Sequence, residues 1–160
     1  MKKKTKQIIF LFSFIVLSLL TGYLGSQLTG VSIPETYLNI SDKPSFFPPT
    51  WIFAPVWSIL YTLMGISAYL LWRLKEKQKV NKLLILFFAQ LFVNLIWPII
   101  FFGLGQYLWA FIDIIILLIM IIVMVLSFEK ISKLSAYLLL PYLFWVGFAS
   151  ILNLAIVFNR

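Results

Sequence analysis

Apolar positions along this chain do not alternate with polar ones at a strand or surface-helix period; they run together in long blocks. Five blocks, at about residues 7–28, 50–72, 82–102, 107–127 and 134–157, carry almost no charge. Each is long enough, at about 1.5 Å rise per residue, to cross a hydrocarbon core of about 30 Å. The pattern predicts an all-α membrane protein, a bundle of five transmembrane helices. Only the connection from Leu28 to Trp51 is long, so residues 1–160 are expected to form one transmembrane domain with a long outer loop between spans 1 and 2.

Composition agrees: 62% of residues are hydrophobic and 11% charged, against roughly half and a quarter in soluble domains, and the mean hydropathy is +1.03. The formal charge of +8 would point to an anionic partner if it covered one face. It is instead distributed by topology. Lys2, Lys3, Lys4 and Lys6 precede span 1, Arg73, Lys75, Lys77, Lys79 and Lys82 lie between spans 2 and 3, and Lys130 and Lys133 between spans 4 and 5. Eleven of the 13 basic residues thus share one side, leaving Lys43 and Arg160 on the other. The positive-inside rule predicts a multi-pass protein of the cell membrane with its N-terminus cytoplasmic and its C-terminus outside. No nucleic-acid partner is expected. The lysine-rich start before "IIFLFSFIVLSLL" has the form of a signal peptide, but no A-x-A-like site follows, so the segment is expected to remain as a span.

The chain has no Cys and no His. That excludes disulfides, thiolate nucleophiles, zinc sites, His-ligated haem and His acid–base catalysis; no metal site and no cofactor are expected. Span 1 carries Ser18, Gly22 and Ser26 at intervals of four, a small-residue stripe predicted to face the bundle. In the long loop, "SIPE" predicts a short helix with Ser32 as its cap. Pro48-Pro49 suits the start of span 2. Spans 3 and 4, joined around Gly103 and Gly105, should be antiparallel neighbours, and span 4 beyond its first two turns reads as the most lipid-facing.

Polar side chains within a span are costly, so each is a functional candidate, with helix-to-helix hydrogen bonding as the alternative. Gln90 and Asn94 lie four apart on span 3 with Trp97 three further on. Asp113 follows Trp109 by four on span 4, and Tyr142, Trp145, Ala149 and Asn153 lie along one face of span 5. Counted from the outer ends, Trp51 and Trp109 sit at the boundary, Asp113 about 9 Å in, Asn94 about 12 Å and Trp145 about 18 Å. This outer-half clustering favours an outward-open pocket over a pore. Pro55, Pro98 and Pro141 free the carbonyls of Trp51, Asn94 and Tyr137, and the resulting kinks are expected either to make room for a cavity or only to shape packing. Indoles, phenyl rings, one or two amides and little charge suit a flat, largely apolar molecule. Lys43, Phe46 and Phe47 would end a lid above it, Lys43 either meeting an acidic substituent or serving as an interfacial lysine.

Four blocks, "KPSFFPPTWIFAPVWSILYTLMGISAYLLW", "QLFVNLIWPIIFFG", "WAFID" and "LLLPYLFWVGFASILN", resemble the TspO/MBR family of tryptophan-rich sensory and translocator proteins, the peripheral benzodiazepine receptor family. The resemblance runs from about Lys43 to Asn153. It implies a five-helix membrane receptor or sensor, commonly a homodimer, that binds protoporphyrin IX-like tetrapyrroles, cholesterol and benzodiazepine-site ligands such as isoquinoline carboxamides. Carried over by motif, the ligand pocket falls on Trp51, Asn94, Trp109, Trp145 and Ala149, and a sterol region on Pro141, Tyr142 and Asn153. Phe46 departs from the tryptophan many members carry there. Two rival functions follow: light- and oxygen-dependent porphyrin breakdown, with Trp51 and Trp145 as the catalytic candidates, and transport of tetrapyrroles or sterols, for which Asp113 and the kinks are the support.

Overall fold

In lipid every backbone polar group must be satisfied within the protein, and a helix does this with its own residues. The computed structural model, which describes residues 3–40, 43, 46–75 and 80–159, is accordingly helical throughout, with no strand among the described residues. Five helical stretches are long and apolar enough to cross a membrane: Lys4–Leu28, Thr50–Trp72, Asn81–Gly103, Tyr107–Glu129 and Lys133–Phe158. They match the five predicted spans to within a few residues.

The elements in chain order are α1 (Lys3–Leu28), α2 (Ile33–Leu38), α3 (Phe53–Trp72), α4 (Asn81–Pro98), α5 (Tyr107–Glu129), α6 (Lys133–Tyr137) and α7 (Leu140–Phe158). A single 3₁₀ turn, Thr50–Ile52, leads into α3, and α4 ends in a π-turn over Ile99–Gly103. The predicted short helix of the loop is α2, with Pro34 in its first turn. Ser32 precedes it, but the cap bond expected from the Ser32 side chain is not formed.

Two spans depart from simple helices where proline predicts it. Pro98 cannot donate to Asn94, and the backbone answers by widening: the Leu104 N–H donates to the Ile99 carbonyl at 2.9 Å and that of Gln106 to Ile100 at 3.1 Å. Span 5 is not one helix but two. It breaks at Leu138 and Leu139, so Pro141 lies in the first turn of α7, where its missing N–H costs nothing.

Around the bundle the spans run α3, α1, α4, α5, then α6 with α7, which close back on α3. The antiparallel neighbours α4 and α5 are as expected. The reading of span 4 as the most lipid-facing is corrected: the spans of α1 and α4 are each less buried than that of α5, which buries one stripe along its whole length, Ala110, Ile114, Leu117, Ile121, Met124 and Phe128, against α4 and α7. Of the small-residue stripe on α1, Ser18 is buried and Gly22 carries the Tyr61 ring on its backbone. The tightest crossing is at Gly65 of α3, where an added Cβ would lie 2.6 Å from the Ile15 Cα of α1. Only glycine lets these two backbones approach so closely.

Packing differs between the two ends. The half away from the long loop is filled by side chains such as Phe14, Met64, Leu71, Phe87, Met124 and Phe128. At that end lie Lys4, Lys6, Arg73, Lys75, Lys82, Lys130 and Lys133. The basic residues Lys2, Lys77, Lys79 and Arg160 lie outside the described residues. The half beneath the loop is not filled.

Candidate functional site

The unfilled half holds a cavity of about 510 Å³. One face of α3 supplies much of its wall: Phe53, Trp57 and Tyr61 repeat every four residues, with Ala54 and Ser58 beside them. Across from it α4 contributes Asn94 and Trp97, and α7 contributes Trp145, Ala149 and Asn153. The π-turn completes one side. By adding a residue to the turn it brings both Phe101 and Phe102 inward, and Phe101 stacks on Trp97 at 4.8 Å.

Loop residues close the top. Ile33, Pro34 and Tyr37 of α2 lie over the cavity together with Phe47. The Tyr37 ring packs between Phe47 at 4.6 Å and Phe53 at 4.7 Å, and its hydroxyl donates to the Pro48 carbonyl at 2.8 Å. Burial pushes the Tyr37 phenol up from its ordinary value of 10.0, so it stays a donor. The Lys43 ammonium donates to the carbonyls of Tyr37 and Leu38 at 3.0 and 2.8 Å. It therefore caps the C-terminus of α2, where a cation suits the helix dipole, and does not reach into the cavity.

Beneath the aromatic walls runs a buried polar chain. The Tyr61 hydroxyl donates to Asn94 Oδ1, Asn94 Nδ2 donates to the Tyr142 hydroxyl at 2.8 Å, and that hydroxyl donates to Gln90 Oε1 at 3.0 Å. A second linkage joins the helix ends: Trp97 Nε1 donates to Asn153 Oδ1 at 3.3 Å, and Asn153 Nδ2 to the Tyr107 carbonyl at 2.9 Å. Three buried polar atoms have no partner among the described residues: Gln90 Nε2, Asp113 Oδ2 and Trp145 Nε1. Of their residues only Trp145 lines the cavity, so its indole N–H is a hydrogen-bond donor at the cavity wall with nothing to donate to.

The fourteen sequence candidates divide accordingly. Asn94, Trp97, Trp145, Ala149, Asn153 and Phe47 line the cavity. Gln90 and Tyr142 lie behind it in the polar chain, fully buried. Trp51 is 72% exposed and Trp109 62% exposed, and neither is in the wall. Trp51 and Pro55 share the outward face of their helix with Ile59, because positions four apart lie on one side. Asp113 is half-buried on α5, outside the wall, where Ile114 and Leu117 stand in its place. Phe46 is exposed on the loop. Sequence reading missed Phe53, Trp57 and Tyr61, whose signal was their spacing of four along one helix face, and also Tyr37, Phe101 and Phe102. No group of three or more metal-ligating side chains occurs among the described residues.

A five-span bundle with an aromatic cavity under a tied loop defines an integral membrane protein with an internal chamber at one end of the bundle. The model of the TspO/MBR family matches residues 14–158, and the chain belongs to that family. It is 42% identical to the "Tryptophan-rich protein TspO" of Chlorobaculum tepidum, over 95% of this chain and 96% of that one. It is 41% identical to the protein of the same name from Archaeoglobus fulgidus, over 91% and 94%. To the "Translocator protein" of Bos taurus it is 37% identical, over 88% of this chain and 83% of the relative.

Proposed function

We propose that this protein is a membrane receptor, acting as sensor or carrier, whose cavity takes protoporphyrin IX-like tetrapyrroles and other flat apolar ligands of the benzodiazepine-site type. The observation that carries the reading is the cavity: about 510 Å³, within the range of about 300–1,000 Å³ of small-molecule sites. It is walled by Trp57, Trp97 and Trp145, with Asn94 and Asn153 as amides. Large rings supply faces for stacking, and the unpartnered Trp145 N–H supplies one directional bond for a carbonyl or carboxylate of the ligand. The family resemblance supports a homodimer in the cell membrane. The seven described basic residues gathered at the end away from the loop support a cytoplasmic N-terminus.

Titration of the purified protein with protoporphyrin IX, read by tryptophan fluorescence, tests the reading. Saturable quenching is expected, weakened in Trp57→Phe and Trp145→Phe and retained in Trp51→Phe and Trp109→Phe. Absence of saturable quenching, or equal loss in all four variants, overturns it. One observation keeps the photochemical alternative in view: Trp145 meets the cavity while Trp51 does not, so any light-dependent product should vanish in Trp145→Phe and persist in Trp51→Phe.

A further inference from the structure

The face of α3 that touches α1 at Gly65 continues toward the loop through Ser58 and Ala54, seven and eleven residues earlier and so on the same side of the helix. Gly65 is buried; Ser58 and Ala54 are exposed. The matching face of α1 runs from Ile15 through Leu19 and Gly22 to Ser26, with Tyr23 beside it at 61% exposure. Leu19, Tyr23, Ala54 and Ser58 all line the cavity, and all four are exposed at the protein surface. The two helices touch at Ile15 and Gly65 and carry the Tyr61 ring between them at Gly22; nearer the loop, the facing positions Leu19, Tyr23, Ala54 and Ser58 are not covered by one another.

The gap lies at membrane depth. Tyr23 is about 7 Å and Leu19 about 13 Å from the loop end of α1, and Ser58 about 12 Å from the start of its span, at helical rise. All are within the apolar spans. Over the top, by contrast, lie α2 and Phe47, tied by the Tyr37–Pro48 bond, the Lys43 cap on α2 and the Tyr37–Phe47–Phe53 packing.

We propose that the cavity is loaded sideways from the bilayer, through a portal between Leu19 and Tyr23 of α1 and Ala54 and Ser58 of α3, and not from water through the loop. Its traffic is apolar molecules already dissolved in the lipid. The small side chains of Ala54 and Ser58 keep the portal wide, and the Tyr61 ring is its sill. This rests on the cavity being the binding site, yet the route can be read without any porphyrin.

The absence of cysteine makes that possible. Ala149→Cys puts a thiol on the cavity wall opposite the portal. In the full chain reconstituted in lipid nanodiscs, a bilayer-partitioned pyrene maleimide should label this thiol and a membrane-impermeant sulfonated methanethiosulfonate should not. Adding Ser58→Trp should slow pyrene labelling about tenfold or more, because a gap filled to protein density passes no ring. Ala54→Leu, a smaller plug, serves if Ser58→Trp fails to fold. Labelling by the sulfonated reagent at a comparable rate, pyrene labelling unchanged by both plugs, or no labelling by either reagent in a folded chain that reacts fully once unfolded would each overturn the portal. A chain that labels through the portal but shows no porphyrin quenching would overturn the receptor reading and leave the route standing.

Discussion

Substituting Gly65 by alanine tests the helix crossing on which the cavity depends. The new Cβ would meet three backbone atoms of α1: the Ile15 Cα at 2.6 Å, and the Ile15 nitrogen and Phe14 carbonyl oxygen at 2.8 Å. No rotamer change relieves a clash with backbone, so α1 must retreat until the closest pair moves from 2.6 Å to at least 3.4 Å, an ordinary contact. Overpacking of this kind costs about 1–3 kcal/mol. Alanine also gains about 1 kcal/mol of helix propensity over glycine, which would mask part of the loss. Gly147→Ala removes that ambiguity, because an added Cβ there meets nothing within 4 Å while the propensity gain is the same. The stability difference between the two variants, measured by denaturant unfolding in one lipid or detergent, should be about 1–3 kcal/mol in favour of Gly147→Ala. Equal stabilities would refute the close backbone crossing of α1 and α3 at Gly65.

Asn94→Leu should cost about 1–3 kcal/mol, since it removes two buried bonds and leaves the Tyr61 and Tyr142 hydroxyls without that partner; a double-mutant cycle with Tyr61→Phe showing no coupling would refute the linkage. Ser67→Ala loses the bond at 2.7 Å from the Ser67 hydroxyl to the Ser135 carbonyl, which ties α3 to α6, and should cost about 0.6 kcal/mol and no more than about 1.7 in the same unfolding assay. Tyr37→Phe should raise protease cleavage in the loop between α1 and α3, because the bond to Pro48 goes while the packing stays. Tyr37 titrates above its ordinary 10.0 in the folded protein, so its contribution to loop protection should be constant below pH 10 and decline only above it. A decline already at neutral pH would contradict the assignment.

The spans were legible in the sequence because lipid demands long uncharged helices, and no soluble alternative satisfies blocks of this length. Which face of each span looks inward was not equally legible. In a soluble helix the apolar stripe marks the core, but here Ile, Leu and Phe occupy both the lipid side and the bundle side, so that signal is lost. Amides were a partial exception: that cost predicts that Gln90, Asn94 and Asn153 avoid lipid, which they do, but only Asn94 and Asn153 line the cavity. Tryptophan carries no such constraint, since it suits a cavity wall and a membrane interface alike. Trp51 and Trp57 differ by six positions, which at about 100° per residue sets them on different sides of the helix, and only the second faces the cavity. Asp113 lies outside the wall for a related reason, one position away from Ile114, which does line it. The division of span 5 into α6 and α7 was written in Pro141, but as a kink and not as a break.

The π-turn at Ile99–Gly103 also bears on which insertions and deletions this chain tolerates. A π-turn is an α-helix carrying one extra residue, and that residue sets the phase of everything after it by about 100°. Deleting one residue there, for instance Ile100, would let the backbone close into a regular turn with the later residues near their present phase, whereas inserting one before Phe101 would rotate Phe101 and Phe102 out of the cavity wall together. The loss would be one of reading frame in space and not of composition: every aromatic residue would remain, and the chamber would lose a side.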